Sequence, residues 1–452
     1  MPHPYLKYFE EQQAETKRRV ELDTERHRKA FARVKLVDGD GQPVTGARVK
    51  ISQKTHDFKF GCNCFMLDQF PDEERNLAYR REFASLFNYA VAPFYWSDFE
   101  PEDGKPRMGE NPVDVYRRPV PEKVIRYCRE NGIDLKGHPL FWHYFLPDWL
   151  PKDRDQVFRR LDTRLRELSG EYADRIMDWD CVNESLVSKY KSDKRLPREY
   201  PASIFFQAAK YFKNNRLFIN DVTEISWDSE QGELSPYYLQ LEYLMQKGVP
   251  IDGIGMQYHM FYKPEVMETR TEEFYNPQNL FDCMDLYGSF GRPLHISEIT
   301  VPAYGGTQES KQMQALITEQ LYRIWFSHPA AEAIVWWNLV DGTAAYAPFG
   351  SFDGENYYAG GLLNHDMSHK PVYDVLDRLI HKEWHTEVTV EEMPETLLFN
   401  GFYGKYDVTA EMDGRQVTQE IHLSRQGERE FHLVMTGDHQ PSAGDNKKEE
   451  KV

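Results

Sequence analysis

A chain of 452 residues, 40% hydrophobic and 28% charged, is an ordinary globular polypeptide with room for two or three domains, or for one α/β barrel with additions. Lysine and arginine number 55 against 73 aspartates and glutamates, a net charge of −18, which sets the surface against nucleic acid and anionic membranes and favours a neutral or cationic ligand. No run approaches the roughly 20 apolar residues that cross a bilayer.

The first 32 residues are charged throughout and read as a polar helix over 5–32, without the apolar core of a secretory signal. Five scattered cysteines read as free thiols in a reducing compartment. Together these point to a cytoplasmic protein, or to a secreted one whose leader has been removed. Residues 33–54 follow as strand, glycine-rich turn, strand.

A different rhythm then begins. Eight short apolar or aromatic runs recur at 58–64, 89–96, 134–142, 178–184, 216–221, 251–259, 293–300 and 333–339. Helical patterns separate them, such as 121–132 and 153–170, each expected to close on its glycine. Near-continuous apolar runs are what buried parallel strands look like. Eight strand–helix repeats predict a (β/α)8 barrel over residues 55–384. From 385 to 438 the β pattern returns, with a hairpin expected at Asp413-Gly414. This segment is expected to pair with 33–54 as a small flanking β-sandwich, with a packing or dimerisation role rather than a sugar-binding one. Residues 439–452 are expected to be a disordered tail.

Functional groups of such a barrel gather where its strands end. Asn183-Glu184 ends the fourth run, Asn220-Asp221 the fifth, Gln257 and His259 the sixth, and Glu298 the seventh. Two carboxylates across one barrel mouth are what glycosidic cleavage needs: one protonates the leaving oxygen, the other attacks or stabilises the anomeric centre. Each residue also has a plainer reading. Asn-Glu can cap a helix start, His138 can be a satisfied core histidine, Trp142 and Trp337 can be core aromatics, and Asn220 can be a turn residue. Gln257 and His259 alternate on one strand and so share a face. By the same alternation His295 points with Ser297 and away from Glu298, outside the site.

The blocks GHPLFWH (137–143), WDCVNES (179–185), IDGIGMQYH (251–259) and LHISEIT (294–300) resemble, in order, the signature blocks of glycoside hydrolase family 10, the endo-β-1,4-xylanase family. The resemblance runs over roughly residues 45–385. It implies a retaining, double-displacement β-glycoside hydrolase acting on β-1,4-xylan or xylo-oligosaccharides, without metal or other cofactor. Glu298 would be the nucleophile and Glu184 the acid/base, the latter with a pKa raised towards ~6. Asn183 would bond the 2-hydroxyl of the cleaved sugar, His259 would orient Glu298, and Gln257 would line the same subsite. His138 and Trp142 would shape the glycone side, Trp337 would lie beneath a sugar ring, and Trp96 would mark the second-strand block.

The chain also departs from the family. The Glu-Asn pair of the second-strand block has no counterpart in 87–101, and Tyr95 stands for its lysine, although Trp96, Glu100 and Pro101 match. Trp337 and Asp341 are kept, while Ala345 or Tyr346 takes the place of a second tryptophan. Thr300 replaces an aspartate, and Pro139 interrupts a predicted strand. The losses fall on recognition, which keeps another β-linked glycoside or glycosylated small molecule open as the substrate. Two alternatives from other classes are a metal-dependent barrel hydrolase, for which the first strand lacks a His-x-His, and a non-catalytic carbohydrate-binding protein.

Overall fold

The structure, a computed structural model, describes residues 3–109, 112–187, 195–197, 199–345 and 347–435. It divides into two compact units, one of residues 1–27 with 58–383, the other of 28–57 with 384–452.

The second unit begins with β1 (Lys29–Asp38) and β2 (Arg48–His56). The helix expected to reach residue 32 therefore stops at Arg28. Residues 29–34 pair instead with a returning strand, and that sheet partnership overrides local helical preference.

The first unit carries β3 (Lys59–Asn63), β4 (Tyr89–Pro93), β5 (Asp134–His138), β6 (Phe141–Trp142), β7 (Asp178–Asn183), β8 (Arg216–Asp221), β9 (Gly253–His259), β10 (Leu294–Thr300) and β11 (Ala331–Trp336). All pair in parallel, and β11 returns to β3, so the ring closes into a (β/α)8 barrel. The third strand is split in two. β5 stops at His138 and pairing with β7 resumes at Phe141, because Pro139 has no N–H to give the ladder; the His138–Pro139 bond is cis.

Helices cover the barrel by the usual spacing rules. In Arg154–Tyr172, Val157, Leu161, Leu165 and Leu168 form one buried stripe, and Asp153 caps the start by accepting from the Gln156 amide. This helix runs through Gly170 rather than ending on it. Gly132, at φ 65°, does sit just past the end of Pro121–Glu130.

Two strands break the period-two alternation. The register shifts between Asp180 and Val182 in β7, and between Ile296 and Glu298 in β10. A bulge adds one residue and moves everything after it to the other face. That is how Asn183 and Glu298 come to face the barrel axis.

The second unit continues with β12 (Glu387–Val390), β13 (Leu397–Phe402), β14 (Gly404–Met412), β15 (Arg415–Leu423) and β16 (Glu430–Met435). Sheets β13-β1-β16 and β12-β2-β14-β15 share one core that includes Val34, Leu36, Ile51, Phe399, Tyr406, Val408 and Leu433. Asp413 and Gly414, at φ 51° and 73°, make the two-residue turn between β14 and β15. The expected tail, 439–452, lies outside the described residues.

Candidate active site

The C-terminal mouth of the barrel opens into a cavity of about 840 Å³, within the usual size of ligand sites. Glu184, Glu298, Gln257, His259, His138, Trp142 and Trp337 all line it.

Glu298 is buried at 4% exposure and held by side chains from two other strands, β8 and β9. Asn220 Nδ2 donates to its Oε1 at 2.7 Å, Gln257 Nε2 donates to the same oxygen at 3.2 Å, and His259 Nε2 lies 3.2 Å from Oε2. His138 Nε2 stands 4.0 Å from Oε1. Burial pushes the Glu298 carboxyl up to about 7, against the pull of His138 and the Asn220 bond, with buried Asp180 adding to the rise.

Glu184 sits one residue past β7, partly exposed, with its backbone in the left-handed region at φ 51°. Its amide donates to the Asn220 carbonyl at 2.8 Å, which holds this unfavourable conformation. Gln257 Nε2 also donates to Glu184 Oε1 at 3.1 Å. The two carboxylate oxygens on this one nitrogen are therefore no further apart than 3.1 Å plus 3.2 Å allows.

His259 completes the far side. Burial lowers it to about 4 despite nearby Glu355 and Glu224, so the ring is neutral. Thr300 Oγ1 meets its Nδ1 at 3.0 Å, which leaves the Nε2–H to donate to Glu298. The threonine that replaces the family aspartate thus supplies a hydroxyl but no charge.

Asn220 is the hub. It is fully buried, its Nδ2 also donates to Asn183 Oδ1 at 2.8 Å, and its Oδ1 accepts from Ser297 Oγ at 2.5 Å. Ser297 and Glu298 both reach it because of the bulge, so strict alternation misplaced their side chains. His295 faces Tyr89 and Phe218 inside the barrel and pairs with Glu332 at 2.9 Å, away from the mouth.

Trp337 stands edge-on to His138 and His259, with ring centroids at 5.4 and 5.9 Å, while Trp142 packs on Tyr95 and Phe145. Trp96 is not brought to the cavity. It is buried beside Trp149 and Arg164, and its Nε1 donates to Glu100 at 3.0 Å. His143 likewise turns away and meets the Tyr200 hydroxyl.

Several residues were missed. Lys136 and Asp180 form a buried ion pair at 2.5 Å, and Asp180 holds His138 Nδ1 at 2.9 Å. Burial opposes the charge on Asp180, yet Lys136 and His138 keep its carboxyl below the usual range. Lys136-x-His138 on one strand and Asp180 on its neighbour carried a signal, since alternate residues share a face. Asp221, fully buried, accepts from Ser185 Oγ, Leu186 N and Val222 N and so ties down the segment after Glu184. Burial pushes it up to about 7 against those bonds.

The described helices include none long and apolar enough to cross a membrane. In sequence, the chain is 24% identical over 274 residues to endo-1,4-beta-xylanase B of Thermotoga neapolitana, covering 58% of this chain and 74% of that protein. It is 23% identical over 394 residues to an anti-sigma-I factor of Acetivibrio thermocellus, covering 86% of this chain but only 46% of that protein. In structure, it resembles xylanase 10B of Thermotoga petrophila, solved with xylobiose, at a TM-score of 0.55 and 24% identity over 72% of this chain and 95% of that one. The model of glycosyl hydrolase family 10 matches residues 97–378, well over half of the chain. A closed barrel with two glutamates meeting at its mouth, and a family match over residues 97–378, make this chain a member of glycosyl hydrolase family 10.

Proposed function

We propose that the chain is a retaining β-glycoside hydrolase acting on β-1,4-xylan or xylo-oligosaccharides. The observation that carries the reading is the Gln257 amide, which donates to Glu184 and Glu298 at once. Carboxyl groups that share one nitrogen fit the ~5–5.5 Å spacing of retaining enzymes better than the ~6.5–9.5 Å spacing that admits a water in inverting ones.

In the first step Glu298 attacks the anomeric carbon while Glu184 protonates the departing oxygen. In the second, Glu184 deprotonates a water that releases the sugar from Glu298. Asn220, Gln257 and neutral His259 donate to Glu298 and favour its ionised form. Asn183 has given its side-chain oxygen to Asn220 and would offer its amide to the 2-hydroxyl. Trp337 and Trp142 would contact the sugar faces.

The test is a panel of aryl β-glycosides with wild type and Glu184→Ala. General acid catalysis contributes about 10²–10⁴-fold, so poor leaving groups should lose that much while good ones are largely spared. A variant equally impaired on every leaving group would remove the acid/base role. The second-strand recognition residues are absent, and this favours a second reading: the same mechanism on another β-linked glycoside. The panel's xyloside, xylobioside, glucoside, cellobioside and galactoside members separate the two.

A further inference from the structure

The N-terminal segment precedes the β-sandwich in the chain, yet residues 1–27 belong to the barrel unit. It runs through short helical turns at Pro4–Leu6 and Lys7–Glu11 into a longer helix, Gln13–Arg28. The sequence there is charged almost throughout. Tyr5, Phe9, Gln12, Thr16 and Arg19 are the exception in their spacing: intervals of four and three residues put them on one helical face, and Tyr5, Phe9 and Thr16 are buried.

That face seats on the segment that follows β9. The Tyr5 hydroxyl donates to the Pro264 carbonyl at 3.3 Å, and the Tyr5 and Phe9 rings stand 6.0 and 6.2 Å from the buried ring of Tyr275. Gln12 donates to Asn276 Oδ1 at 2.8 Å and accepts from the Gln278 amide at 3.1 Å. Arg19 pairs with Asp285 at 2.9 Å, and its guanidinium covers Phe281 at 3.9 Å.

The same segment forms part of the cavity wall. Phe274, next to Tyr275 in the chain, stacks on Tyr262 with ring centroids 5.6 Å apart and planes 18° apart, and Tyr262 lines the cavity. The Tyr262 hydroxyl donates at 3.1 Å to Glu224, which follows β8 and lines the cavity as well. Contacts thus run without a gap from Tyr5 and Phe9 through Tyr275 and Phe274 to Tyr262 and Glu224. The reacting glutamates are held by other groups. Asn220, Gln257 and His259 bond Glu298, and Gln257 bonds Glu184, so none of these contacts comes from 262–276.

We propose that Tyr5 and Phe9 are positioning residues that fix the Tyr262–Glu224 wall from outside the barrel, and so set how tightly substrate is held without entering the bond-breaking step. This rests on the sugar-binding reading of the cavity, and it extends the site to a segment that the mechanism does not use.

The experiment is steady-state kinetics of the full chain on the aryl glycoside that wild type cleaves best. Phe9→Ala and Tyr5→Ala should each raise KM about fivefold and leave kcat within about twofold, while Tyr5→Phe, which keeps the ring, should stay near wild type. A merely structural role gives the opposite split, because a partly unfolded preparation loses apparent kcat at constant KM. In a Tyr262→Ala background the effect of Phe9→Ala on KM should shrink to about twofold or less, since the route is already cut. Thermal unfolding reports whether each variant is folded, and Tyr5→Ala decides if Phe9→Ala is not. Unchanged KM in the folded alanine variants, or an undiminished effect in the Tyr262→Ala background, overturns the proposal. If wild type cleaves no member of the panel, the hydrolase reading falls, and calorimetric Kd for xylobiose and cellobiose replaces KM. Binding that Phe9→Ala weakens about fivefold then keeps the positioning role, unchanged binding overturns it, and a wild type that binds neither sugar overturns both.

Discussion

Asn220 Nδ2 lies 2.7 Å from Glu298 Oε1, the shortest of the three side-chain hydrogen bonds to that carboxylate. The same amide bonds Asn183 and Ser297, so one side chain sets three others. Asn220→Ala should lower kcat/KM by about 10- to 100-fold, the value of a hydrogen bond to a charged group. Steady-state kinetics on an activated aryl glycoside checks it. A loss under threefold would show that Gln257 and His259 suffice.

The Glu298 carboxyl, raised to about 7, sets an acid limb. The nucleophile works as the carboxylate, so kcat/KM should fall as pH drops through about 7. Stability runs the opposite way. The folded carboxyl holds its proton more tightly than the unfolded one, so its contribution is present below the unfolded value near 4.3 and is lost as pH rises through about 7. Glu298→Gln should thus gain thermal stability over wild type between pH 5 and pH 8, by up to about 3 kcal/mol. Melting curves at both pH values provide the check; an unchanged difference would mean the carboxylate is well solvated.

Gly255 is a glycine because of Asn220. A Cβ there would meet Asn220 Oδ1 at 2.3 Å and its Cγ at 2.9 Å. Gly255→Ala should displace that amide, destabilise the fold by about 1–3 kcal/mol and reproduce the kinetic loss of Asn220→Ala. If stability falls but turnover does not, the hub role is wrong.

Asp221 accepts from the Leu186 amide at 3.1 Å and so anchors the chain just past Glu184. Asp221→Ala should loosen the acid/base and not the nucleophile. Rates should fall about tenfold or more on poor leaving groups and little on good ones, a pattern a general loss of structure would not produce. A uniform fall across leaving groups would reduce Asp221 to a packing role.

Much of this was legible in the chain alone. Buried parallel strands and amphipathic helices leave local periodic marks, so all eight strand positions lie where the apolar runs stand, and Asp413-Gly414 turns where two residues must take positive φ. Glu184, Glu298, Gln257 and His259 follow from chemistry at strand ends. Tertiary structure decided the rest. The bulges in β7 and β10 arise from register against neighbouring strands, and they alone turn Asn183 and Glu298 inward. Asn220 became a hub, Trp96 left the cavity, and Arg117 met Asn338 from over two hundred positions away. Periodicity is a property of adjacent residues, whereas such contacts depend on how distant segments close a ring, and no local pattern encodes that closure.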